Sequence, residues 1–252
     1  MGVTLPRLLV IQPSEHDPVG RLGDWLTDAG AELDIVMPGR DGLPPLDGYQ
    51  GVVCLGGEMG ALDDGQHPWL AEVRLLLSKA VATKVPTLAV CLGAQLLAVA
   101  TGGQVRRGTQ GPEVGVLLVA KRDTAARDPL FAELPLTPDV LQFHHDEIVL
   151  LPPSGELLAS SPRYPNQAFR VGSVAYGVQF HIETTPEIVL KWASLDPEEA
   201  AQARPGQLEP DFLVEAHVTL AEVWQPFARR FVQLSAGELE PALGSVRTLP
   251  LV

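Results

Sequence analysis

Two cysteines, Cys54 and Cys91, sit in the same four-residue word, Val-Cys-Leu-Gly, within VVCLGGEMG and AVCLGAQLL. Either thiol could act as a nucleophile, and the residues around each decide between them. A nucleophile held on a sharp turn from strand to helix needs small neighbours, because a bulky side chain two positions away would meet the adjoining chain. Ala89 and Gly93 flank Cys91 at that spacing. A helix beginning directly after Cys91 would also aim its free amides and positive end at the sulfur, where a thiolate is stabilised. Cys54 lies inside an apolar run followed by glycines and reads as a small buried hydrophobe.

A cysteine nucleophile needs a base, and the base needs an acceptor that fixes its tautomer. The stretch YGVQFHIETTPE supplies both. An apolar strand runs into His181, and Glu183, two residues on, falls on the same side of an extended backbone. Glu187 is the rival acid. Thr184-x-x-Glu187 has the spacing of a capping box for the helix that contains Pro186, which leaves Glu183 as the orienting group.

The elements that must hold these residues follow from periodicity. Arg7 to Gln12 is a short apolar run closed by Pro13. Asp17-Pro18 offers a helix cap with proline in the first turn before VGRLGDWLTDAGA. AELDIVMPG and GVVCLGG read as further strands separated by the loop DGLPPLDGYQ. His67 to Val85 carries Leu70, Val73, Leu76, Leu77 and Ala80 at helical spacing, Pro86 ends it, and Thr87 to Val90 is the strand that delivers Cys91. A second helix runs from Cys91 to Gly102-Gly103. This alternation predicts an α/β fold with a doubly wound, mostly parallel sheet and helices on both faces.

Between Gly115 and Phe180 the runs GVLLVA, DVLQF, EIVLL, ELLASS, AFRVG and VAYGVQF are short strands split by Pro and Gly, a small antiparallel addition that returns to the main sheet. After Pro186 the chain is helical, and EPDFLVEAHVTLAEVWQPFARRFVQL carries a long amphipathic pattern. Residues 1–195 read as one domain and 196–252 as a helical extension and tail packed on it, with roughly the last fifteen residues poorly placed for order.

Composition narrows the partners. Asp and Glu number 31 against 18 Lys and Arg, and the formal charge is −13, so nucleic acid and anionic membrane are unsuited partners. The apolar stretch at the amino terminus is too short for a signal peptide, and no run reaches membrane-spanning length. Two cysteines make no disulfide framework and show no zinc-type spacing, which favours free thiols in a reducing cytoplasm.

Taken together, GVVCLGGEMGALDD with HPWL, VCLGAQLLA, FHHDE, LASSPRYPNQAFRVG and GVQFHIE resemble the class I (triad) glutamine amidotransferases, including the glutaminase domain of GMP synthetase, over about Arg7 to Leu195. The resemblance implies a flavodoxin-like fold and a glutaminase reaction. Cys91 would attack the side-chain carboxamide of glutamine, His181 would move the proton, and Glu183 would hold the ring. The oxyanion would meet the Leu92 amide and an amide of the Gly56-Gly57-Glu58 loop. Gln95, His144 and Asp146 would line the glutamine pocket. No cofactor is implied, and His144, His145 and Asp146 are poorly spaced for a metal.

Ala89 and Ile182 stand where relatives carry Gly and Pro. Glu58 replaces a Pro, and a carboxylate beside an oxyanion hole opposes the developing charge unless it points away or meets a substrate ammonium. No phosphate-binding Gly-x-x-x-x-Gly-Lys-Ser/Thr loop is present. Three functions therefore stand open: an amidotransferase with a separate synthetase subunit, a stand-alone hydrolase of γ-glutamyl amides or peptides, and a non-catalytic binding protein. The long carboxy-terminal helix also leaves room for a homodimer.

Overall fold

The computed structural model describes residues 5–243. In chain order its first half is β1 (Arg7–Ile11), α1 (Gly20–Asp28), β2 (Glu32–Val36), the single turn α2 (Pro38–Asp41), β3 (Gly51–Cys54), α3 (Trp69–Ala82), β4 (Thr87–Val90) and α4 (Leu92–Ala100). The middle holds eight strands: β5 (Gln104–Arg107), β6 (Glu113–Leu118), β7 (Ala120–Lys121), β8 (Asp139–His144), β9 (Asp146–Leu150), β10 (Gly155–Ser160), β11 (Ala168–Val171) and β12 (Ala175–Val178). Three helices follow: α5 (Pro186–Leu195), α6 (Pro197–Ala200) and α7 (Pro210–Ser235).

Eight strands form one sheet in the order β2-β1-β3-β4-β12-β11-β10-β7. The pairs from β2 to β12 are parallel, and those from β12 to β7 are antiparallel. Side chains alternate across the pleat, so β1 sends Leu8 and Val10 to one face and Leu9 and Ile11 to the other. On the first face they meet Leu22 and Leu26 of α1 and Trp224, Phe227 and Phe231 of α7. On the second they meet Leu70, Val73 and Leu77 of α3 and Leu96 and Leu97 of α4. Helices on both faces bury the central strands completely, which is why β3 and β4 read as unbroken apolar runs. The result is the doubly wound α/β fold with a small antiparallel addition.

The addition is divided. Strands β10 and β11 extend the main sheet, while β6 pairs with β8 and β5 with β9 as separate two-stranded ribbons. The polar run QVRR of β5 gives no periodic signal and finds its place by antiparallel pairing with β9, with Arg106 3.0 Å from its partner Glu147.

Two caps fall elsewhere than the spacing suggests. Helix α1 begins at Gly20 behind Val19 with no side-chain cap, so Asp17 does not cap it. Helix α5 is capped by Thr185, whose hydroxyl accepts from Ile188 N–H at 3.4 Å, one position beyond the expected Thr184. Residues 244–252 of the expected tail lie outside the described residues.

Candidate active site

Cys91 occupies the one-residue step between β4 and α4 with φ 50° and ψ −110°, a left-handed conformation that costs a non-glycine residue about 1–3 kcal/mol and persists only where the surroundings enforce it. They do so from both sides. The Cys91 amide donates to Val178 O of the neighbouring β12 at 2.8 Å, and its carbonyl accepts from Gln95 N–H at 3.0 Å in the first turn of α4. Gly93 allows the turn to close against β3: a Cβ there would lie 2.2 Å from Cys54 O and 2.8 Å from Cys54 C.

Beyond the end of β12 the chain carries Gln179, Phe180, His181 and Glu183 past the same carboxy-terminal end of the parallel strands. The His181 amide donates to Leu141 O at 2.8 Å, tying the segment to β8. Its Nδ1 lies 2.6 Å from Glu183 Oε1, and Glu183 Oε2 accepts from Ile182 N–H at 2.9 Å. His181 and Glu183 are only 2% and 1% exposed, so their interaction is unscreened. Helix α1 fixes Glu183 from behind. Arg21 N–H donates to its carbonyl at 2.9 Å, and a Cβ on Gly20, which has φ 49°, would overlap that oxygen.

Burial by itself would push the His181 ring toward its neutral form. The Glu183 carboxylate and the Cys91 sulfur outweigh it and hold the imidazolium well above its ordinary titration range. Its Nε2 is buried without a hydrogen-bond partner among the described residues. Contacts between a nucleophile and its base are commonly loose before substrate arrives. Cys54, in contrast, is fully enclosed by apolar neighbours, and burial pushes its thiol up to about 12.

Cys91, Leu92, Gln95, His181, Gly57 and Glu58 all line one cavity of about 550 Å³. Among the described residues the Leu92 and Gly57 amides have no protein acceptor, and the two residues are neighbours, since a Cβ on Gly57 would lie 3.0 Å from the Leu92 side chain. Glu58 is exposed at the rim. Gln95 is 4% exposed and reaches Gln179 Oε1 at 3.3 Å. His144 and Asp146 line the far wall. His144 is engaged there structurally: its Nδ1 bonds Asp146 O at 2.9 Å and its Nε2 lies 3.4 Å from Glu113. Glu187 is exposed on α5 and interacts with Thr185, away from the His181 ring. Among the described residues no group of three or more His, Cys, Asp or Glu side chains is arranged to hold a metal.

Three residues of the site went unread in the sequence. Gln179 points its amide at Cys91 Sγ, 3.7 Å away; it sits two positions before His181, the same alternation that identifies Glu183. Trp192 of α5 packs its ring 4.6 Å from that of His181 and donates to His16 O at 2.7 Å; only the helical period of α5 hints at it. Asp17 lies in the cavity wall at 8% exposure, and its Asp-Pro context pointed to a cap.

A strained cysteine at a strand-to-helix step and a buried histidine–glutamate pair thus line one cavity of a doubly wound α/β sheet. The description of the glutamine amidotransferase class-I family matches residues 28–189, and the chain belongs to that family. It is 27% identical over 201 residues to gamma-glutamyl peptidase 5 of Arabidopsis thaliana, covering 75% of each chain. It is 31% identical to the glutamine-hydrolysing GMP synthase of Christiangramia forsetii over 79% of this chain, but spans only 34% of that protein. A solved glutamine amidotransferase from Thermotoga maritima superposes with a TM-score of 0.81 at 29% identity, covering 92% of this chain and 99% of that one. These relatives are enzymes. Among the described residues no helix is long and apolar enough to cross a membrane.

Proposed function

We propose that the protein cleaves the γ-carboxamide of glutamine or of a γ-glutamyl compound through a thioester on Cys91. The observation that carries this is the strained Cys91 beside a His181 ring locked at 2.6 Å to Glu183 in one cavity. The Cys91 sulfur forms a bond to the γ-carbonyl carbon, and the negative charge moves to the carbonyl oxygen beside the Leu92 and Gly57 amides. The C–N bond then breaks as His181 gives its proton to the departing nitrogen, releasing ammonia or an amine. His181 next takes a proton from water, whose oxygen attacks the thioester; the C–S bond then breaks, returning the sulfur as thiolate beside the protonated His181 and freeing glutamate. Gln95 and Asp146 contribute to holding the substrate's polar end.

With glutamine the product is ammonia, and a separate synthetase is the partner this chemistry implies. The second reading is hydrolysis of γ-glutamyl peptides: at about 550 Å³ the cavity is of ordinary small-molecule size, with space left beyond a γ-glutamyl group. The peptidase relative, matched over three quarters of both chains, supports the same reading. Residues 1–195 form the amidotransferase domain in this proposal and 196–252 its extension, working in a reducing cytoplasm.

Incubation with glutamine and with γ-glutamyl dipeptides, assaying ammonia, amine and glutamate, separates the two readings. Cys91→Ser abolishes either activity. Binding without turnover, together with failure of an electrophilic glutamine analogue to label Cys91, would instead establish a binding protein.

A further inference from the structure

We propose that Asp17 is a positioning residue for His181, a second carboxylate that faces the imidazolium from its Cε1 edge while Glu183 holds it at Nδ1. The proposal rests on the thioester reading for its catalytic consequence and on geometry for the pairing itself. Asp17 belongs to the loop between β1 and α1. That loop is fixed at Asp17 N–H, which donates to Ser14 O at 3.3 Å, and at His16 O, which accepts from Trp192 Nε1 at 2.7 Å. Because the Trp192 ring itself packs on His181, the loop and the imidazole are held in one register.

Gly56 supplies the clearest observation. A Cβ at that position would lie 3.0 Å from Asp17 Oδ1 and 3.4 Å from His181 Cε1. The carboxylate oxygen and the ring edge therefore flank the same small gap, left open by the missing side chain of Gly56. In an imidazolium Cε1 lies between the two charged nitrogens, so an anion there stabilises the protonated ring.

The groups facing Asp17 come from every neighbouring element: His181 and Glu183 beyond β12, Glu58 on the glycine loop and the Ser14 hydroxyl on its own loop. Burial raises its carboxyl to about 6, His181 and Ser14 oppose that rise, and Glu183 and Glu58 add to it. Among the described residues no hydrogen bond to a cap or a basic side chain accounts for an aspartate in this place.

The test uses Asp17→Asn and Asp17→Glu, with kcat and KM for glutamine measured across pH. Asp17→Asn lowers kcat about ten-fold with little change in KM. It also moves the alkaline limb of the kcat/KM profile, where His181 loses its proton, down by about one pH unit. Asp17→Glu, which keeps the charge, returns the limb toward the wild-type position. A limb that stays in place in Asp17→Asn overturns the proposal, since an anchoring role for the loop would change stability without moving it. Histidine Cε1–H NMR of the unmodified protein reads the pairing without turnover: the His181 signal shifts through an inflection near 6 as Asp17 ionises, and its absence equally overturns the proposal. If no γ-glutamyl substrate is turned over, the thioester reading falls while the NMR titration still decides the role of Asp17.

Discussion

Gly93 carries the sharpest mechanical prediction. Alanine at an exposed helical position is favoured over glycine by about 0.5–1 kcal/mol, and on that ground alone Gly93→Ala in α4 would stabilise. The added carbon, however, would lie 2.2 Å from Cys54 O, 2.8 Å from Cys54 C and 3.1 Å from Leu55 O. All three are main-chain atoms, and no rotamer change removes them. Restoring contact distances requires α4 and the end of β3 to part by roughly 1 Å. Overpacking of this kind costs about 1–3 kcal/mol and at times more, so the clash outweighs the propensity gain by about 1–2 kcal/mol. For a chain of this size that lowers Tm by about 2–8 °C. The parting separates Cys91 and Leu92 from the Gly56–Gly57 loop, and a displacement near 1 Å costs about 100-fold in rate. The measurements are thermal unfolding and kcat/KM, with Gly65→Ala, where a Cβ meets nothing within 4 Å, as control. A Gly93→Ala protein with unchanged or higher Tm and near wild-type kcat/KM would refute the account of the turn.

Glu183→Gln keeps the shape of the His181 partner but removes its charge, and kcat falls about 10²–10⁴-fold with KM little changed. Because the folded pKa of His181 is raised, its pairing stabilises the fold fully below the unfolded value of about 6.5 and is lost as pH climbs through the folded value. The loss of Tm in Glu183→Gln is accordingly largest in acid and shrinks in alkali. Asp17 has the opposite sign. Its folded carboxyl keeps a proton up to about 6 that the unfolded chain releases near 3.8, so stability falls across that window by about 3 kcal/mol. Asp17→Asn therefore unfolds at a higher temperature than wild type at pH 8 and at about the same temperature at pH 3.5, by calorimetry. A thiol-directed reagent at pH 7.5, read by peptide mass spectrometry, modifies Cys91 and spares Cys54, which burial holds up at about 12. Trp224→Ala empties a fully buried site under Phe180, whose ring lies 5.1 Å away. It costs about 3–5 kcal/mol in denaturant unfolding and lowers kcat by loosening the segment that ends in His181.

How much of this was legible depended on whether a residue's role is local. The strands of the central sheet announce themselves because burial on both faces leaves no room for polar residues, as in GVVC and TLAV. The strand-to-helix step at Cys91 was readable because such a step imposes small neighbours within two positions. Glu183 was readable because a two-residue offset on an extended chain fixes its side. Strand β5 and the separate ribbons were not, because QVRR is polar and its pairing with β9 is set by a partner some forty residues away. Asp17 was misread for the same reason: Asp-Pro is a local signal for a cap, while its surroundings come from Gly56 and His181 in two distant segments, and its loop is held by Trp192 through His16 O.

The extension beyond Leu195 bears on the site in a way a boundary there conceals. Helix α7 lies against the face of the sheet opposite α3 and α4, with Trp224 under Phe180 and His217 bonded to the Thr184 hydroxyl at 3.1 Å. Phe180 and Thr184 bracket His181 and Glu183 in the chain. Arg21 of α1 joins the same support by donating to His217 O at 2.6 Å while its amide holds Glu183 O. The strain at Cys91, the buried charge of Glu183 and the unpartnered Nε2 of His181 each work against folding. They persist because the apolar contacts of α7 and α1 fix the backbone on both sides of the histidine, so that relaxation of any one group would displace a packed helix. On this argument α7 is part of the scaffold of the proposed site, and removing it should cost activity before the parallel sheet itself comes apart.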